Sequence, residues 1–281
     1  NLTMNIGIIG QGFVGNAIFQ KFRHFYNVLT YDLQSKLCNS NLNEIYTNCQ
    51  YIFICLPTPM DKDGSCYIKI VEDELSKLST YCQNTQQEKV IIIKSTIPPG
   101  TTSKWNKKFS NLTIIFNPEF LTEANAVKDY ENQNRIILGG PRKGTTPLKP
   151  IFSKVFPKAK IIKTDSTHDE MVKYTINYFL ATKVSFANEM HQICNGLDID
   201  YDKVIEYAIY DDRLGYSHWA VPGPDGDFGY GGHCFPKDVK ALIQVSLKMG
   251  LLSKILVATD EKNNQVRTNR DWENMTGRAI I

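Results

Sequence analysis

No stretch of this chain stays apolar over the length that a membrane-spanning helix needs, so no span is read from it. The start, NLTMNIGIIGQGFVG, is apolar but broken by glycines, and it has neither a basic leader segment nor a small-residue cleavage site. No secretion signal is expected, and without one the Asn-Leu-Thr acceptor patterns at Asn1 and Asn111 carry no weight. Charge of one sign is lacking too: 32 basic and 29 acidic residues are scattered to a net +3, which gives no arm or stripe for nucleic acid but leaves local positive charge for phosphates. The seven cysteines are an odd number without paired metal-ligand spacing, so no metal site is expected and reduced thiols in the cytoplasm are the simplest reading. There is no internal repeat and no low-complexity tract. What remains is an ordinary globular composition, 42% hydrophobic and 22% charged, over 281 residues. That length suffices for two domains, or for one large domain with an appendage.

Short apolar runs punctuate the first part of the chain. MNIGIIG (4 to 10), YNVLTYD, YIFICL (51 to 56), KVIIIK (89 to 94), LTIIF (112 to 116), RIILGG (135 to 140) and KAKIIKT all read as strands. Between them GFVGNAIFQKFRHF, IKIVEDELSKLSTYC and TTSKWNKKF carry apolar residues at helical spacing. Strands alternating with helices predict an α/β fold, a doubly wound, mostly parallel sheet covered on both faces. From about Asp165 the pattern changes. HDEMVKYTINYFLATKVSFANEMHQIC holds a helical stripe without Gly or Pro, which predicts one long helix with Ser166 or Thr167 as N-cap and Asn195-Gly196 as its stop. A shorter helix (YDKVIEYAIY), a loop rich in Gly and Pro, and a helix over CFPKDVKALIQVSLKMG follow; the polar last thirty residues are left unassigned. The expected division is a Rossmann-type domain over 1–164 and a helical domain over 165–281.

Gly10, Gly12 and Gly15 form G-x-G-x-x-G directly after a strand and at the mouth of a helix, and Asp32 ends the next strand. The first glycine permits the tight turn, the second lets backbone approach a pyrophosphate, and the third lets the helix pack on the sheet. The helix N-terminus offers N–H groups and a positive dipole end to phosphate. An acid at Asp32 would accept from ribose hydroxyls and repel a 2′-phosphate, which favours NAD over NADP. The motif alone does not choose between NAD and FAD, and the bland alternative is a glycine-rich turn without a ligand.

GYGGHCFPKD places Cys234 after three glycines and at the start of a helix, ahead of Pro236, Lys237 and Asp238. A helix N-terminus and a nearby lysine both favour thiolate over thiol, and glycines let a bulky substrate approach sulfur. A cysteine taken at random is more often buried and inert. That reading is accepted for Cys38, Cys49, Cys55, Cys66, Cys82 and Cys194.

G-Q-G-F-V-G at 10 to 15, S-T-I-P-P-G-T at 95 to 101, N-P-E-F-L-T-E at 117 to 123 and G-G-H-C-F-P-K-D at 231 to 238 resemble, in order, the four signatures of the UDP-glucose/GDP-mannose dehydrogenase family. The resemblance runs from about residue 4 to about residue 250. It implies two successive oxidations of a nucleotide-sugar alcohol by two NAD molecules, with Cys234 forming a thiohemiacetal and then a thioester. It makes 1–164 the NAD-binding domain and 165–281 a central substrate and dimerisation domain carrying the cysteine loop. Lys173 and Asn177 match the family's cation and donor for the oxyanion. They lie four residues apart and so on one helical face, although a lone lysine is ordinarily solvated. Thr96, Glu119 and Asp238 match positions that hold and activate water, and Glu123, otherwise a helix-cap acid, matches a carboxylate near the nicotinamide. Phe120, Leu121 and Gly231 resemble contacts to the sugar nucleotide, beside Glu119, Lys173 and Asn177. Gly10, Gly12, Phe13, Val14, Gly15, Asp32, Thr58, Thr96 and Lys237 resemble cofactor contacts, and Lys36 matches a basic residue near the adenosine, one residue out of register. Arg213, otherwise a solvated loop residue, matches an arginine that reaches the substrate from the neighbouring subunit of a homodimer.

The chain departs from the family pattern in three places. Family members continue into a second Rossmann-like domain that holds the nucleotide base, so this is a short form or a fragment. The loop SHWAVPGPDGDFG is longer than the pattern and is expected to supply nucleotide contacts. His233 fits branches acting on N-acetylated sugars, whereas Phe235 to Asp238 fits the UDP-glucose and GDP-mannose branches; UDP-glucose is expected first, with GDP-mannose or an N-acetylated UDP-hexosamine as alternatives. Two rivals remain. Hydroxyacid dehydrogenases related to phosphogluconate enzymes share a Rossmann domain followed by a long helix but use no catalytic thiol. The other is a non-catalytic module that binds NAD or a nucleotide sugar and has lost turnover along with the terminal domain.

Overall fold

The structure is a computed structural model that describes residues 3–281. It divides into two compact units, the first comprising residues up to Thr58 together with Ile68–Lys173, the second Pro59–Tyr67 together with Tyr174–Ile281. Among the described residues no helix is long and apolar enough to cross a membrane, and no group of three or more His, Cys, Asp or Glu stands where it could hold a metal ion.

In the first unit the strands are β1 (Asn5–Ile9), β2 (Asn27–Tyr31), β3 (Tyr51–Ile54), β4 (Lys89–Ile93), β5 (Leu112–Phe116), β6 (Arg135–Gly139) and β7 (Lys160–Thr164). Each coincides with one of the apolar runs of the sequence. They form one seven-stranded sheet in the order β2-β1-β3-β4-β5-β6-β7, parallel throughout except for the antiparallel β5–β6 pairing at Phe116 and Gly139. Because successive strand side chains point to opposite faces, Ile91, Ile93 and Ile114 enter one apolar cluster while Ile92 and Ile115 enter the other. A sheet buried on both faces explains why β4 and β5 read as unbroken apolar runs.

The covering helices are α1 (Phe13–Phe22), α2 (Leu42–Asn48), α3 (Lys69–Thr85), α4 (Thr101–Lys108), α5 (Ala126–Glu131) and α6 (Arg142–Val155). α6 forms despite Pro147 and Pro150 because its face of Leu148, Ile151, Phe152 and Val155 is buried. The next helix, α7 (Ser166–Gly196), is the long helix of the sequence pattern. Its N-cap is neither Ser166 nor Thr167: Ser166 is already helical, and the carboxylate of Asp165 accepts the His168 N–H at 3.0 Å.

The second unit takes most of α7, then α8 (Tyr201–Ala208), α9 (Phe235–Lys248) and α10 (Lys254–Val266). Tyr174, Ala181, Tyr230, Val239, Leu242 and Leu256 make its larger core, and Ala187, Cys194, Tyr201, Trp219 and Val221 a smaller one. The last residues pack into this unit. Trp272 and Ala279 are buried, and Met60 of the Pro59–Tyr67 segment bridges to Cys66 and to Ile280.

The glycines between β1 and α1 have unequal structural duties. Gly10 has φ +99°, and a Cβ on Gly15 would sit 1.9 Å from the Gly10 carbonyl oxygen, whereas a Cβ on Gly12 would meet nothing within 4 Å. Gly15→Ala is therefore expected to cost about 1–3 kcal/mol by forcing the turn apart. Gly12→Ala should stay within about 1 kcal/mol, the scale of a helix-cap exchange. Urea denaturation of the two variants checks this, and equal midpoints would refute it.

Candidate active site

The chemistry-bearing side chains of the first unit sit at the C-terminal ends of its strands. After β1 the chain enters α1 through Gly12, an N-cap with no capping side chain and with open space where a Cβ would stand. Asp32, just past β2, accepts the Gln11 N–H at 2.8 Å on one oxygen and the Gln34 N–H at 2.9 Å on the other. Each oxygen keeps a lone pair for a further donor. Asp32 lines a depression of about 480 Å³ with Tyr31, Ser35, Cys38, Asn41 and Glu44. Lys36 lies exposed in the adjoining turn Ser35–Leu37 and does not line it. A second depression, of about 310 Å³, brings Phe13 and Glu123 together with Asn16 and Lys128. Val14 packs into the core beside it. Open backbone at a helix start, with an acid at the next strand end, fits the pyrophosphate and ribose of a dinucleotide.

After β3 and β4, the Thr58 hydroxyl donates to the Thr96 carbonyl at 2.8 Å, and both threonines are buried. The segment after β5 is held by two buried lysines. Lys94 donates to the Asn117 side-chain oxygen at 2.7 Å, and Lys173 to the Glu119 carbonyl at 2.5 Å and carboxylate at 3.3 Å. Lys173 is only 5% exposed, so it is not a solvated surface lysine. The other Glu119 oxygen takes the Leu121 N–H at 2.6 Å, which folds Glu119, Phe120 and Leu121 into one tight turn. The Phe120 ring lies under two cations, 4.2 Å from the Arg135 guanidinium and 5.4 Å from the Lys173 ammonium.

Sequence reasoning passed over three buried charges here. Glu170 caps α4, accepting from the N–H groups of Gly100 and Thr102 and from the Thr102 hydroxyl; burial still lifts its carboxyl to about 7 against those donors. Asp169 is fully buried and neither carboxyl oxygen has a hydrogen-bond partner, and burial lifts it to about 8 against the pull of Lys94. Burial lowers Lys94 to about 8, opposed by the charges of Cys55, Glu119 and Asp169. Acids next to an otherwise regular helical stripe gave no signal of burial.

In the second unit Cys234 is the N-cap of α9, and its carbonyl accepts the Asp238 N–H at 2.9 Å. Asp238, 3% exposed, takes the Lys237 ammonium at 2.8 Å on one oxygen and the Asn177 amide at 2.7 Å on the other. Burial alone would lower Lys237, but the charges of Asp238, Cys66 and Cys234 outweigh it and hold the ammonium firmly protonated. The coupling is mutual, so the same lysine favours a thiolate at Cys234. Gly231 has no room for a side chain, since a Cβ would fall 2.1 Å from an Arg267 nitrogen. Arg213 is peripheral: its side chain is 88% exposed and paired with Asp211.

Two family models match the chain. Residues 26–158 match the NAD binding domain of the UDP-glucose/GDP-mannose dehydrogenase family, and residues 167–265 match its central domain. UDP-glucose 6-dehydrogenase of Rickettsia felis is 33% identical over 240 residues, covering 83% of this chain and 52% of that protein. UDP-glucose 6-dehydrogenase TuaD of Bacillus subtilis is 33% identical over 225 residues, covering 78% and 47%. The chain thus spans about half the length of these relatives. Among solved structures, a UDP-glucose dehydrogenase from the hyperthermophilic archaeon Pyrobaculum islandicum superposes with a TM-score of 0.83 at 25% identity, covering 94% of this chain and 68% of that one.

The buried acid makes a prediction about stability. Asp169 titrates near 8 in the fold against 3.8 as its ordinary value, so its contribution is complete below about pH 4 and is lost as pH rises through 8. Asp169→Asn removes that loss. Its stability relative to the parent should climb between pH 5 and 8 by at most about 1.4 kcal/mol per pH unit. Thermal melts at three pH values check this, and parallel curves would sink it.

Proposed function

Because the chain belongs to the UDP-glucose/GDP-mannose dehydrogenase family, we propose that it oxidises the C6 primary alcohol of a nucleotide-linked hexose to a carboxylate, with UDP-glucose as the first candidate substrate. The observation that carries this reading is the position of Cys234 as the cap of α9, coupled in charge to a lysine that Asp238 holds in place. The similarity to proteins named UDP-glucose 6-dehydrogenase supports the choice of sugar nucleotide.

NAD, when bound, accepts the hydrogen and electron pair lost in each of the two oxidations. Gly10, Gly12, Phe13, Val14 and Gly15 would hold its phosphates, Asp32 its ribose, and Thr58, Thr96, Glu123 and Lys237 complete the set, with Lys36 assigned to the adenosine edge. The chain's own chemistry follows the alcohol's conversion to the aldehyde level. The thiolate of Cys234 adds to C6, forming a C–S bond and an alkoxide. Lys173 and Asn177 are assigned to that oxygen. The ammonium already lies on the Glu119 carbonyl, and the Asn177 amide spends one hydrogen on Asp238 and keeps the other. Once the thiohemiacetal is oxidised to a thioester, water attacks the carbonyl, the C–S bond breaks, and the sulfur leaves as thiolate. Thr96, Glu119 and Asp238 are assigned to hold that water and take its proton. Phe120, Leu121 and Gly231 are assigned to the substrate.

Dimerisation through α7 belongs to the same reading. Phe179, Phe186 and Ile193 recur at intervals of seven along α7 and are 60%, 50% and 50% exposed, an apolar stripe that a second copy would cover. Arg213 is assigned to the partner's substrate and would exchange Asp211 for it. A cytoplasmic setting completes the proposal.

Mixing the protein with NAD and a panel of UDP-glucose, GDP-mannose and N-acetylated UDP-hexosamines, with absorbance of the reduced cofactor as readout, should give turnover with UDP-glucose and about two NAD reduced per sugar consumed. A stoichiometry of one would contradict the thioester route. Cys234→Ser should form no acid while still binding NAD by calorimetry; full turnover by that variant would exclude Cys234 as nucleophile and favour hydroxyacid-dehydrogenase chemistry. For the assembly, Phe179→Glu combined with Phe186→Glu should sediment as a monomer where the parent sediments as a dimer.

A further inference from the structure

The backbone ahead of Cys234 is held by side chains rather than by regular structure. Asn188 on α7 accepts the Gly229 N–H at 3.2 Å, and Asn263 on α10 accepts the Tyr230 N–H at 2.8 Å and donates to the Tyr230 carbonyl at 3.0 Å. Asp271, beyond α10, takes the Gly232 N–H on both oxygens at 3.1 and 3.2 Å. Between them lies Arg267, whose side chain has no exposed surface. Its guanidinium donates to the Asn269 and Phe228 carbonyls at 2.6 and 3.3 Å, meets Asp225 at 2.6 Å and lies 3.3 Å from Asp227 and 3.5 Å from Asp271.

A desolvated guanidinium among three carboxylates is a costly way to stabilise a fold, and apolar packing of the same volume would commonly serve stability as well or better. What this arrangement supplies is direction. Arginine orients the Asp271 carboxylate, and the carboxylate fixes the peptide two residues before the sulfur. The fit leaves no slack: a Cβ at Gly231 would lie 2.5 Å from an Asp271 oxygen, and one at Gly229 would lie 2.2 Å from the Asn263 oxygen. We propose that Arg267 and Asp271 are positioning residues for Cys234, a buried clamp that fixes the Phe228–Gly232 backbone so that the sulfur is presented at the start of α9. The proposal rests on the assignment of Cys234 as nucleophile, but the presentation of the thiol can be read without turnover.

The test uses the full chain. Asp271→Ala should lower kcat roughly 10- to 100-fold, the cost of a nucleophile misplaced by about an ångström, with the KM for NAD within about twofold of the parent. Asp271→Asn keeps an acceptor for the Gly232 N–H and should restore kcat to within about threefold. Iodoacetamide labelling of the Cys234 peptide, followed by mass spectrometry at neutral pH, should slow by at least about threefold in Asp271→Ala, since the sulfur loses its place at the helix start and beside Lys237. Unchanged kcat and labelling would overturn the clamp while leaving the nucleophile intact. An active Cys234→Ser control would instead overturn the nucleophile, and the labelling rate would still decide the clamp. Should Asp271→Ala fail to fold, hydrogen exchange on the parent decides: protection at Gly232 well above that of residues 216–218 is expected, and equal exchange overturns the proposal.

Discussion

The second unit depends on a charge that would be unfavourable alone. Lys237 is buried, and an isolated ammonium there would lose its proton or unfold its surroundings. Asp238 keeps it charged, and Asn177 satisfies the other carboxylate oxygen, so every polar atom of the pair has a partner. A satisfied pair of this kind adds little to stability. Its effect is electrostatic: it fixes a positive charge one helical turn from Cys234, where the N-terminal dipole end of α9 already favours an anion. Pro236 suits the same place, since the first turn of a helix has no use for the N–H that proline lacks.

The first unit solves a different problem. A parallel sheet ends all its neighbouring strands on one edge, so the residues that follow β1, β2, β3, β4 and β5 are gathered there without individual design. Gly10, Asp32, Thr58, Thr96 and Glu119 are those residues. Their loops need stiffening, and buried side chains supply it: Glu170 caps α4 just after Thr96, and the two lysines bind the carbonyl side of Asn117 to Glu119.

What the sequence made legible follows from these two facts. Strands buried on both faces appear as apolar runs, and all seven were visible, as was the long stripe of α7. The glycine turn and the helix start at Cys234 were legible because spaced glycines mark a strand-to-helix turn and Pro236 suits the first turn of a helix. Other features gave no local signal. Asp165 caps α7 one position before the residues expected to, because three possible caps stand in a row and geometry picks one. The Pro59–Tyr67 excursion belongs with the second unit through Met60 and its bridge to Ile280, a pairing of residues more than two hundred positions apart. The polar tail resisted assignment for the same reason: Arg267 and Asp271 look solvated until the Gly-rich loop they hold is placed beside them.

The two loops that bear the proposed chemistry are restrained by different side chains, and the difference has a chemical logic. In the first unit cations grip carbonyl oxygens, and the Leu121 N–H turns inward on the Glu119 carboxylate. In the second, anions and amides grip N–H groups, at Gly229, Tyr230 and Gly232, while Asn263 and Arg267 also hold the Tyr230 and Phe228 carbonyls and the guanidinium gathers the carboxylates. A cation next to Cys234 that was engaged on loop carbonyls would be partly neutralised by them. Holding the glycine loop through Asn188, Asn263, Arg267 and Asp271 instead leaves Lys237 to Asp238 and to the sulfur. The restraint on the nucleophile is thereby separated from the charge that activates it, and a substitution can loosen one without discharging the other.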